Sequence, residues 1–297
     1  MRPLSDKVVD HLRHICDIPD LQGTKYSLIE EIGRGGMGAV YAVEDTELGR
    51  RVALKVLHTD SDEPVKEPRV LAQLEHPGIV PIYDAGVLAD GRRFYVMQLV
   101  EGTRLDECGQ TSASLPGRLR IFEKICEAVA FSHSEGVVHR DLKPENIMIG
   151  AFGEVLIMDW GLAKIMGDPA AERHGTVVGT AAYMAPEQAR GETDRIDERS
   201  DVYSLGAILE FLAGPSPPRR LKAVCRKARA PDPAARYQGA AELARDVASF
   251  LDGLPLIAYR EGPLERISRW ASRHRTACIL VVAYLVMRVL FILFFRR

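Results

Sequence analysis

The chain has 297 residues, of which 46% are hydrophobic, enough to bury a sizeable core in more than one lobe. Its formal net charge of −2 is unevenly distributed: residues 264–297 hold seven arginines and one glutamate, which leaves 32 basic and 40 acidic residues upstream. Because nucleic-acid binding needs a concentrated basic face, the acidic upstream part argues against a nucleic-acid partner, and the basic end indicates a membrane instead.

Residues 1–25 form an N-terminal extension without an apolar run long enough for a secretory signal. Helical spacing of apolar residues predicts a short amphipathic helix here, formed by Val8, Val9, Leu12 and Ile15. Such a helix more often packs on the surface of its own protein than regulates the activity of that protein. The five cysteines of the chain show no CxxC pair, so we expect reduced thiols in a cytoplasmic protein.

Short apolar stretches broken by glycine begin at Tyr26 and predict an antiparallel sheet with a glycine-rich first hairpin. Gly33, Gly35 and Gly38 would let the backbone approach phosphate oxygens. A GxGxxG motif also occurs in dinucleotide sites, where it opens a helix. Here a strand follows and then a lysine, Lys55, in Val-Ala-Leu-Lys, and this order favours nucleotide phosphates under a β-hairpin.

The segment His-Arg-Asp-Leu-Lys-Pro-Glu-Asn at 139–146 is followed by Asp-Trp-Gly at 159–161. Together these segments supply the base, the cation and the metal ligands that in-line phosphoryl transfer needs. Asp141 would accept the hydroxyl proton, Lys143 would face the phosphate, and Asn146 with Asp159 would hold a metal ion. Each residue alone could instead cap a helix or form a turn, but the ordered set favours an ATP-dependent kinase.

These motifs, in this order over residues 26–253, resemble a eukaryotic-like bacterial serine/threonine protein kinase. The resemblance implies an α+β, bilobal protein kinase fold: an antiparallel β N-lobe with helix C (26–97), a hinge (98–102) and a mainly α C-lobe (103–253). It also implies protein substrates, ATP, and Mg²⁺ or Mn²⁺. By the same resemblance the nucleotide would contact Ile32, Gly33, Gly35, Gly38, Val40, Ala53, Lys55, Met97, Gln98, Val100 and Met148.

The resemblance further implies that Glu67 pairs with Lys55, the alternative being a solvated surface charge. Pro68 follows directly, and a proline inside a helix costs about 3 kcal/mol, so we expect helix C to begin near Glu67. The region between Lys55 and Glu67 is shorter than is usual in the family. Trp160 replaces the usual phenylalanine, and we expect it to pack near Leu71 and His139.

Residues 159–187 resemble an activation loop and substrate platform. We expect autophosphorylation at Thr176, with the phosphate held by Arg140, and a structural role for Thr180 beside Asp141. The resemblance pairs Glu187 with Arg236 and gives Asp201 the role of tying down the catalytic loop.

The C-lobe is expected to be trimmed, because the chain crosses between the segments 212–215 and 220–225 in about eight residues, where the family normally carries a loop and a further helix. The surface left open could be covered by the N-terminal extension or by a second subunit, so a homodimer is possible.

The end of the chain resembles a membrane anchor. Arginines at 260, 266, 269, 273 and 275 form a basic linker (254–275), and residues 276–295 contain one charge, Arg288. Twenty residues span roughly 30 Å as a helix, which predicts a single transmembrane helix in the cell membrane with the kinase cytoplasmic. A helix lying in the bilayer interface, or buried in an oligomer, is the alternative.

Two other functions are compatible with parts of this pattern. A nucleotide-binding pseudokinase scaffold would fit the short helix C, Trp160 and the trimmed C-lobe, but it would not need the base Asp141. A small-molecule phosphotransferase would not need Lys143 or the platform that ends at Ala185-Pro186-Glu187. We therefore predict a serine/threonine protein kinase.

Overall fold

The computed structural model describes residues 18–35, 38–57, 66–108, 114–166, 181–260, 262 and 275–295. The helix predicted within residues 1–17 lies outside these ranges. So do the two threonines of the predicted activation loop, Thr176 and Thr180.

A five-stranded antiparallel sheet of order β1-β2-β3-β5-β4 forms the first lobe. Its strands are β1 (Tyr26–Gly35), β2 (Gly38–Asp45), β3 (Arg50–Leu57), β4 (Ile82–Val87) and β5 (Arg93–Gln98). A side-chain hydrogen bond joins the two edge strands, because the Tyr26 hydroxyl of β1 donates to Asp84 of β4 at 2.7 Å. Alternate residues such as Val43, Leu54 and Val96 point into the enclosed core and are buried.

A short helix, α1 (Lys66–Leu71), accompanies this sheet. Its described residues begin at Lys66, directly after a part of the chain outside the described ranges, and include Glu67 and Pro68. Val70 and Leu71 are buried in the core that α1 shares with the second lobe. The carboxylate that the sequence assigns to helix C therefore lies on this helix.

The second lobe is mainly helical. Its helices are α2 (Leu105–Cys108), α3 (Leu115–Ser134), α4 (Pro186–Ala189), α5 (Glu198–Ala213), α6 (Arg219–Ala228) and α7 (Ala240–Leu251). Its short strands are β6 (Gly102–Arg104), β7 (Val137–Val138), β8 (Ile147–Gly150), β9 (Val155–Ile157) and β10 (Lys164–Ile165). The expected combination of an antiparallel β lobe and a helical lobe is confirmed.

Helix α3 forms the scaffold of this lobe. Its buried stripe has helical spacing and includes Leu119, Phe122, Ile125, Cys126 and Val129, as the sequence predicts. Ser114 caps its first turn by accepting from the backbone N–H of Gly117.

The short crossing predicted in the C-lobe is present, because α5 ends at Ala213 and α6 begins at Arg219. Gly214 adopts a φ of 83°, which favours glycine, and lets the chain leave α5 at once.

The last described helix, α8 (Arg275–Phe295), contains 21 residues, and its side chains from 279 to 291 are exposed. Judged by length and apolarity, none of the helices in the described part of the chain could cross a membrane. The span predicted over residues 276–295 is therefore not confirmed.

Candidate active site

A cleft of about 550 Å³ lies between the glycine-rich hairpin and the second lobe. Gly33 pairs with Val40, and Gly35 pairs with Gly38 at the end of the hairpin. A Cβ added at Gly33 or Gly35 would meet nothing within 4 Å, so a ligand can approach the backbone there. A Cβ at Gly38 would lie 2.1 Å from the carbonyl oxygen of Val56, so close packing of strands requires that glycine.

Several residues predicted to contact the nucleotide line this cleft: Gly33, Gly35, Gly38, Val40, Lys55, Met97 and Met148. Others lie outside its lining: Ala53, Gln98, Val100 and Ile32, the last of which is 48% exposed. The motifs do not predict nucleotide contacts for Val80, Tyr95, Met158 and Leu162, which also line the cleft. Tyr95 could have been found, because residues two apart on a strand face the same side and Met97 was already placed.

Lys55 lies between two carboxylates. Its Nζ donates to both oxygens of Glu67, at 3.0 and 2.9 Å, and to Oδ1 of Asp159 at 3.0 Å. Burial would lower the pKa of the Lys55 ammonium, but Glu67 and Asp159 outweigh burial and raise that pKa above its usual value. The ion pair expected between Lys55 and Glu67 is thus present, and Lys55 remains charged.

The catalytic loop brings Asp141, Lys143 and Asn146 together. Oδ2 of Asp141 accepts from Lys143 Nζ at 2.7 Å and from Asn146 Nδ2 at 3.1 Å. The Asp141 carboxyl therefore has its orientation fixed through one oxygen, while the other can accept a hydrogen bond from a substrate hydroxyl. Asp141 is 9% exposed at the floor of the cleft.

Asp201, in the first turn of α5, fixes the backbone of the catalytic loop through hydrogen bonds. Its oxygens accept from the backbone N–H groups of His139 and Arg140, at 2.8 and 2.9 Å, and Oδ2 lies 2.9 Å from Nε2 of His133. Arg140 adopts a φ of 69°, a strained backbone conformation for a residue with a side chain. Asp201 thereby stabilises the backbone turn at Arg140. This turn directs the side chain of the following residue, Asp141, into the cleft.

Asp159 also has a positive φ, 59°, and its side chain points toward Lys55. Trp160 follows, is 1% exposed, and has its ring centroid 4.5 Å from that of His139. The expected packing of Trp160 beside His139 is therefore found. The indole Nε1 donates to the carbonyl of Ile157 at 3.4 Å, so the larger ring is accommodated without a buried unpaired N–H.

Asn146 and Asp159 offer oxygen atoms that fit a hard divalent cation. Both hydrogens of the Asn146 amide are used, by the carbonyl oxygen and Oδ2 of Asp141, which leaves Oδ1 as the atom available to a metal. Burial would raise the pKa of the Asp159 carboxyl, but Lys55 outweighs burial and keeps that pKa below its ordinary value. The carboxylate oxygen of Asp159 and the amide oxygen of Asn146 lie in one cleft and suit Mg²⁺. This ion usually completes its coordination shell with phosphate and water oxygens.

Glu187 and Arg236 form a fully buried ion pair, with both side chains 0% exposed. The two hydrogen bonds between them measure 2.7 and 2.8 Å, and Ser200 donates to Glu187 at 2.8 Å. This pair ties the end of the predicted substrate platform to the loop before α7.

Acid should destabilise the protein through two of these carboxylates. Burial would raise the pKa of Glu187 and of Asp201, but Arg236 and His133, respectively, hold each pKa below its ordinary value of 4.5 or 3.8. A carboxyl whose folded-state pKa is lowered stabilises the fold fully above the unfolded pKa, and that stabilisation is lost as the pH falls through the folded value. Thermal melts should therefore show a melting temperature that falls progressively below about pH 5. A melting temperature that stays constant down to pH 3 would contradict this expectation.

Replacement of Lys55 by methionine should abolish phosphate transfer and weaken nucleotide binding, because the cation between Glu67 and Asp159 is lost. Glu67 is 5% exposed, and a buried charge left without its partner costs about 3 kcal/mol of stability. Both effects can be measured, by ATP titration and by chemical denaturation. Arg51→Met, which removes a cation from an exposed ion pair with Glu30 in the same lobe, should change neither quantity much.

Similarity to known proteins gives the class of the protein. A protein-family model, "Protein kinase domain", matches residues 26–252, most of the chain. The chain therefore belongs to the protein kinase family. The site contains the paired lysine, the loop aspartate and the two metal-ligand candidates that the motifs predicted.

Among curated proteins, the chain is similar to the serine/threonine-protein kinase PknD of Protochlamydia amoebophila, with 37% identity over 78% of this chain and 30% of the relative. It is 35% identical to the probable serine/threonine-protein kinase PknB of Bifidobacterium longum, over 85% of this chain and 43% of the relative. The PknB of Mycobacterium leprae is 37% identical, over 78% and 44%. The chain thus spans less than half the length of these relatives, all of bacterial origin.

Proposed function

We propose that this chain is a serine/threonine protein kinase that transfers the γ-phosphate of ATP to hydroxyl groups of proteins. One observation carries the proposal: a single cleft contains Lys55, Asp141, Asn146 and Asp159, and each has the partners that its role requires. A scaffold that only binds nucleotide would have no use for Asp141 held in place by Lys143. The names of the relatives support the same activity.

In this mechanism Lys55 binds the α- and β-phosphates, and Glu67 fixes the position of the ammonium. The free oxygen of Asp141 accepts a hydrogen bond from the substrate hydroxyl and finally takes its proton. As the hydroxyl oxygen bonds to the γ-phosphorus, the bond to the β-phosphate oxygen breaks and ADP leaves. Lys143 neutralises charge on the transferred group. Asn146 and Asp159 would hold Mg²⁺, which neutralises phosphate charge when bound.

The test is incubation of the full chain with γ-labelled ATP and magnesium, with a generic basic protein as the acceptor. Label on serine and threonine of the chain or of the acceptor supports the proposal. Magnesium-dependent ATP binding without transfer would favour the nucleotide-binding scaffold. Transfer to a small metabolite but not to proteins would favour a small-molecule phosphotransferase.

We further infer that Thr176 is an autophosphorylation site whose phosphate is held by Arg140. The support lies in Arg140: its Nε is buried and has no hydrogen-bond partner among the described residues. A guanidinium in that position suits a phosphate. Mass spectra after prolonged incubation with ATP should show phosphate on Thr176, and the Arg140→Met variant should lose the resulting activation. Unmodified Thr176 in a fully active protein would contradict this role.

Finally, we propose that residues 276–295 attach the protein to the cell membrane, with the kinase on the cytoplasmic side. The support is the single charge in that stretch, the arginines before it, and the exposed apolar side chains of α8, among them Leu280, Val286 and Phe291. The full chain should sediment with membranes and resist carbonate extraction, whereas Val282→Lys together with Leu285→Lys should release it. Protease protection of the C-terminus then distinguishes a spanning helix from one in the interface. A homodimer stays a prediction.

A further inference from the structure

A recess of about 790 Å³ opens where the chain passes from α5 to α6. It lies between these two helices and the short connection that joins them. Among the described residues, none lines both this recess and the nucleotide cleft. The second lobe therefore offers a second concave site, away from the residues assigned to phosphate transfer.

The connection gives the recess a rigid wall. Helix α5 ends at Ala213 and α6 begins at Arg219, and three of the residues between them are prolines, at 215, 217 and 218. Because proline fixes the backbone φ angle, this wall is ordered before anything binds. A preordered site loses little conformational entropy when a ligand binds, and this favours affinity.

Part of the lining is apolar and accessible. Tyr203 and Phe211 of α5 are partly exposed, and they line the recess together with Pro215 and Pro217. Aromatic side chains that stay accessible in a concave site are typical of surfaces that bind proteins and peptides. This part of the lining suits an apolar side chain of a partner.

The rest of the lining is positively charged. Arg229 pairs with Glu210, and its guanidinium lies 5.3 Å from the centre of the Tyr203 ring. Lys222 and Arg226 are exposed and form no ion pair within the described part of the chain. They lie four positions apart on α6, where like charges repel each other. Carboxylates from a partner would relieve that repulsion.

An acidic peptide segment matches both the charge and the spacing of these two cations. Helix α6 contains five basic residues and no acidic one, whereas the chain upstream of residue 264 is acidic overall. In an extended peptide, side chains two positions apart lie on one face and are separated by roughly 7 Å. Neighbours four positions apart on a helix are about 5–6 Å apart, which is similar.

We propose that this recess binds an acidic segment of the protein substrate, remote from the hydroxyl that is phosphorylated. Carboxylates of the segment pair with Lys222 and Arg226, and an adjacent apolar side chain packs against Phe211. The role rests on the proposed kinase function, because docking here holds the substrate while its serine or threonine enters the cleft. The substrates of this kinase are then proteins that carry an acidic docking segment.

Binding of a defined peptide to the full chain tests the charge preference. The ligand is fluorescein-labelled Glu-Glu-Phe-Glu-Glu-Leu-Glu, its counterpart has glutamine at every glutamate, and fluorescence anisotropy measures both affinities. The acidic peptide should bind about tenfold more tightly than the glutamine peptide, and added salt should reduce this difference. Equal affinity for the two peptides, or no measurable binding of either, would overturn the proposal.

Charge reversal locates the site. Lys222→Glu together with Arg226→Glu should reduce the preference for the acidic peptide to less than about twofold, without a change in melting temperature, because both side chains are exposed. The matched control is Arg93→Glu with Arg245→Glu, which reverses two exposed cations outside the recess and the cleft. This control should keep the preference. A preference that survives reversal of Lys222 and Arg226 would reject the recess as the docking site.

Soluble, short-chain phosphatidylserine is the competing ligand to exclude. If this lipid binds in a manner that depends on Lys222 and Arg226, and the acidic peptide does not bind, the recess is a lipid-headgroup site and the proposal is wrong. Displacement of bound acidic peptide by an excess of unlabelled acidic peptide, and not by the lipid, supports the proposal.

Phosphate transfer provides a separate readout. A serine acceptor joined through a flexible linker to the acidic peptide should have a KM about tenfold lower than the same acceptor joined to the glutamine peptide, with kcat unchanged. Equal KM values in the wild type would reject the docking role. If the wild type transfers no phosphate to either acceptor, the proposed function fails, and anisotropy still decides whether the recess binds acidic segments.

Discussion

The Asp141→Asn variant should lose phosphate transfer by about 100- to 10,000-fold, the range that a positioned general base contributes. Asparagine keeps the size of the side chain and can still accept a hydrogen bond from Lys143, but it cannot take the proton of the substrate hydroxyl. Because the change lies away from Lys55 and the glycine hairpin, KM for ATP should stay within about threefold. Initial rates over a series of ATP concentrations give both quantities.

The matched control is Asp90→Asn, which makes the same chemical change in the turn between β4 and β5. Asp90 bonds Arg92 at an exposed position outside the lining of the cleft, so this variant should keep the wild-type rate. An Asp141→Asn enzyme that retains more than about a tenth of the wild-type rate would show that Asp141 is not the base.

The largest effect on stability is expected from Arg236→Met. This change leaves Glu187 as a buried charge without its partner, which typically costs about 3–5 kcal/mol. Arg236 also donates to the backbone carbonyls of Ala230 and Arg199, each at 2.8 Å, and these acceptors lose their donor too. For a domain of this size the melting temperature should fall by about 10 °C. Differential scanning calorimetry measures the shift.

A double variant distinguishes the lost ion pair from lost packing. Glu187→Met together with Arg236→Met removes both charges, and stability should recover in large part because no unpaired charge remains. Arg190→Met breaks an exposed ion pair with Glu192 and should leave the melting temperature almost unchanged. If Arg236→Met melts like the wild type, the pair is not what secures the substrate platform.

The fold and much of the site could be predicted because the relevant signals are local in sequence. Short apolar stretches broken by glycine predicted the antiparallel pairing of β1, β2 and β3. The residues of the catalytic loop lie within eight positions of one another, so their grouping follows from the chain itself.

The remaining features depend on contacts between distant segments. Tyr95 lies beside Lys55 in the cleft only because β5 pairs with β3 in one particular register. The positive φ of Arg140 is stabilised by Asp201, about sixty residues later, and no local pattern reports it.

The most direct measurement is phosphate transfer from γ-labelled ATP by the full chain, followed by phosphoamino acid analysis, beside Asp141→Asn and Lys55→Met. We predict label on serine and threonine with the wild type and almost none with either variant. ATP binding without any transfer by the wild type, or label that persists in Asp141→Asn, would contradict the assignment of this site to protein phosphorylation.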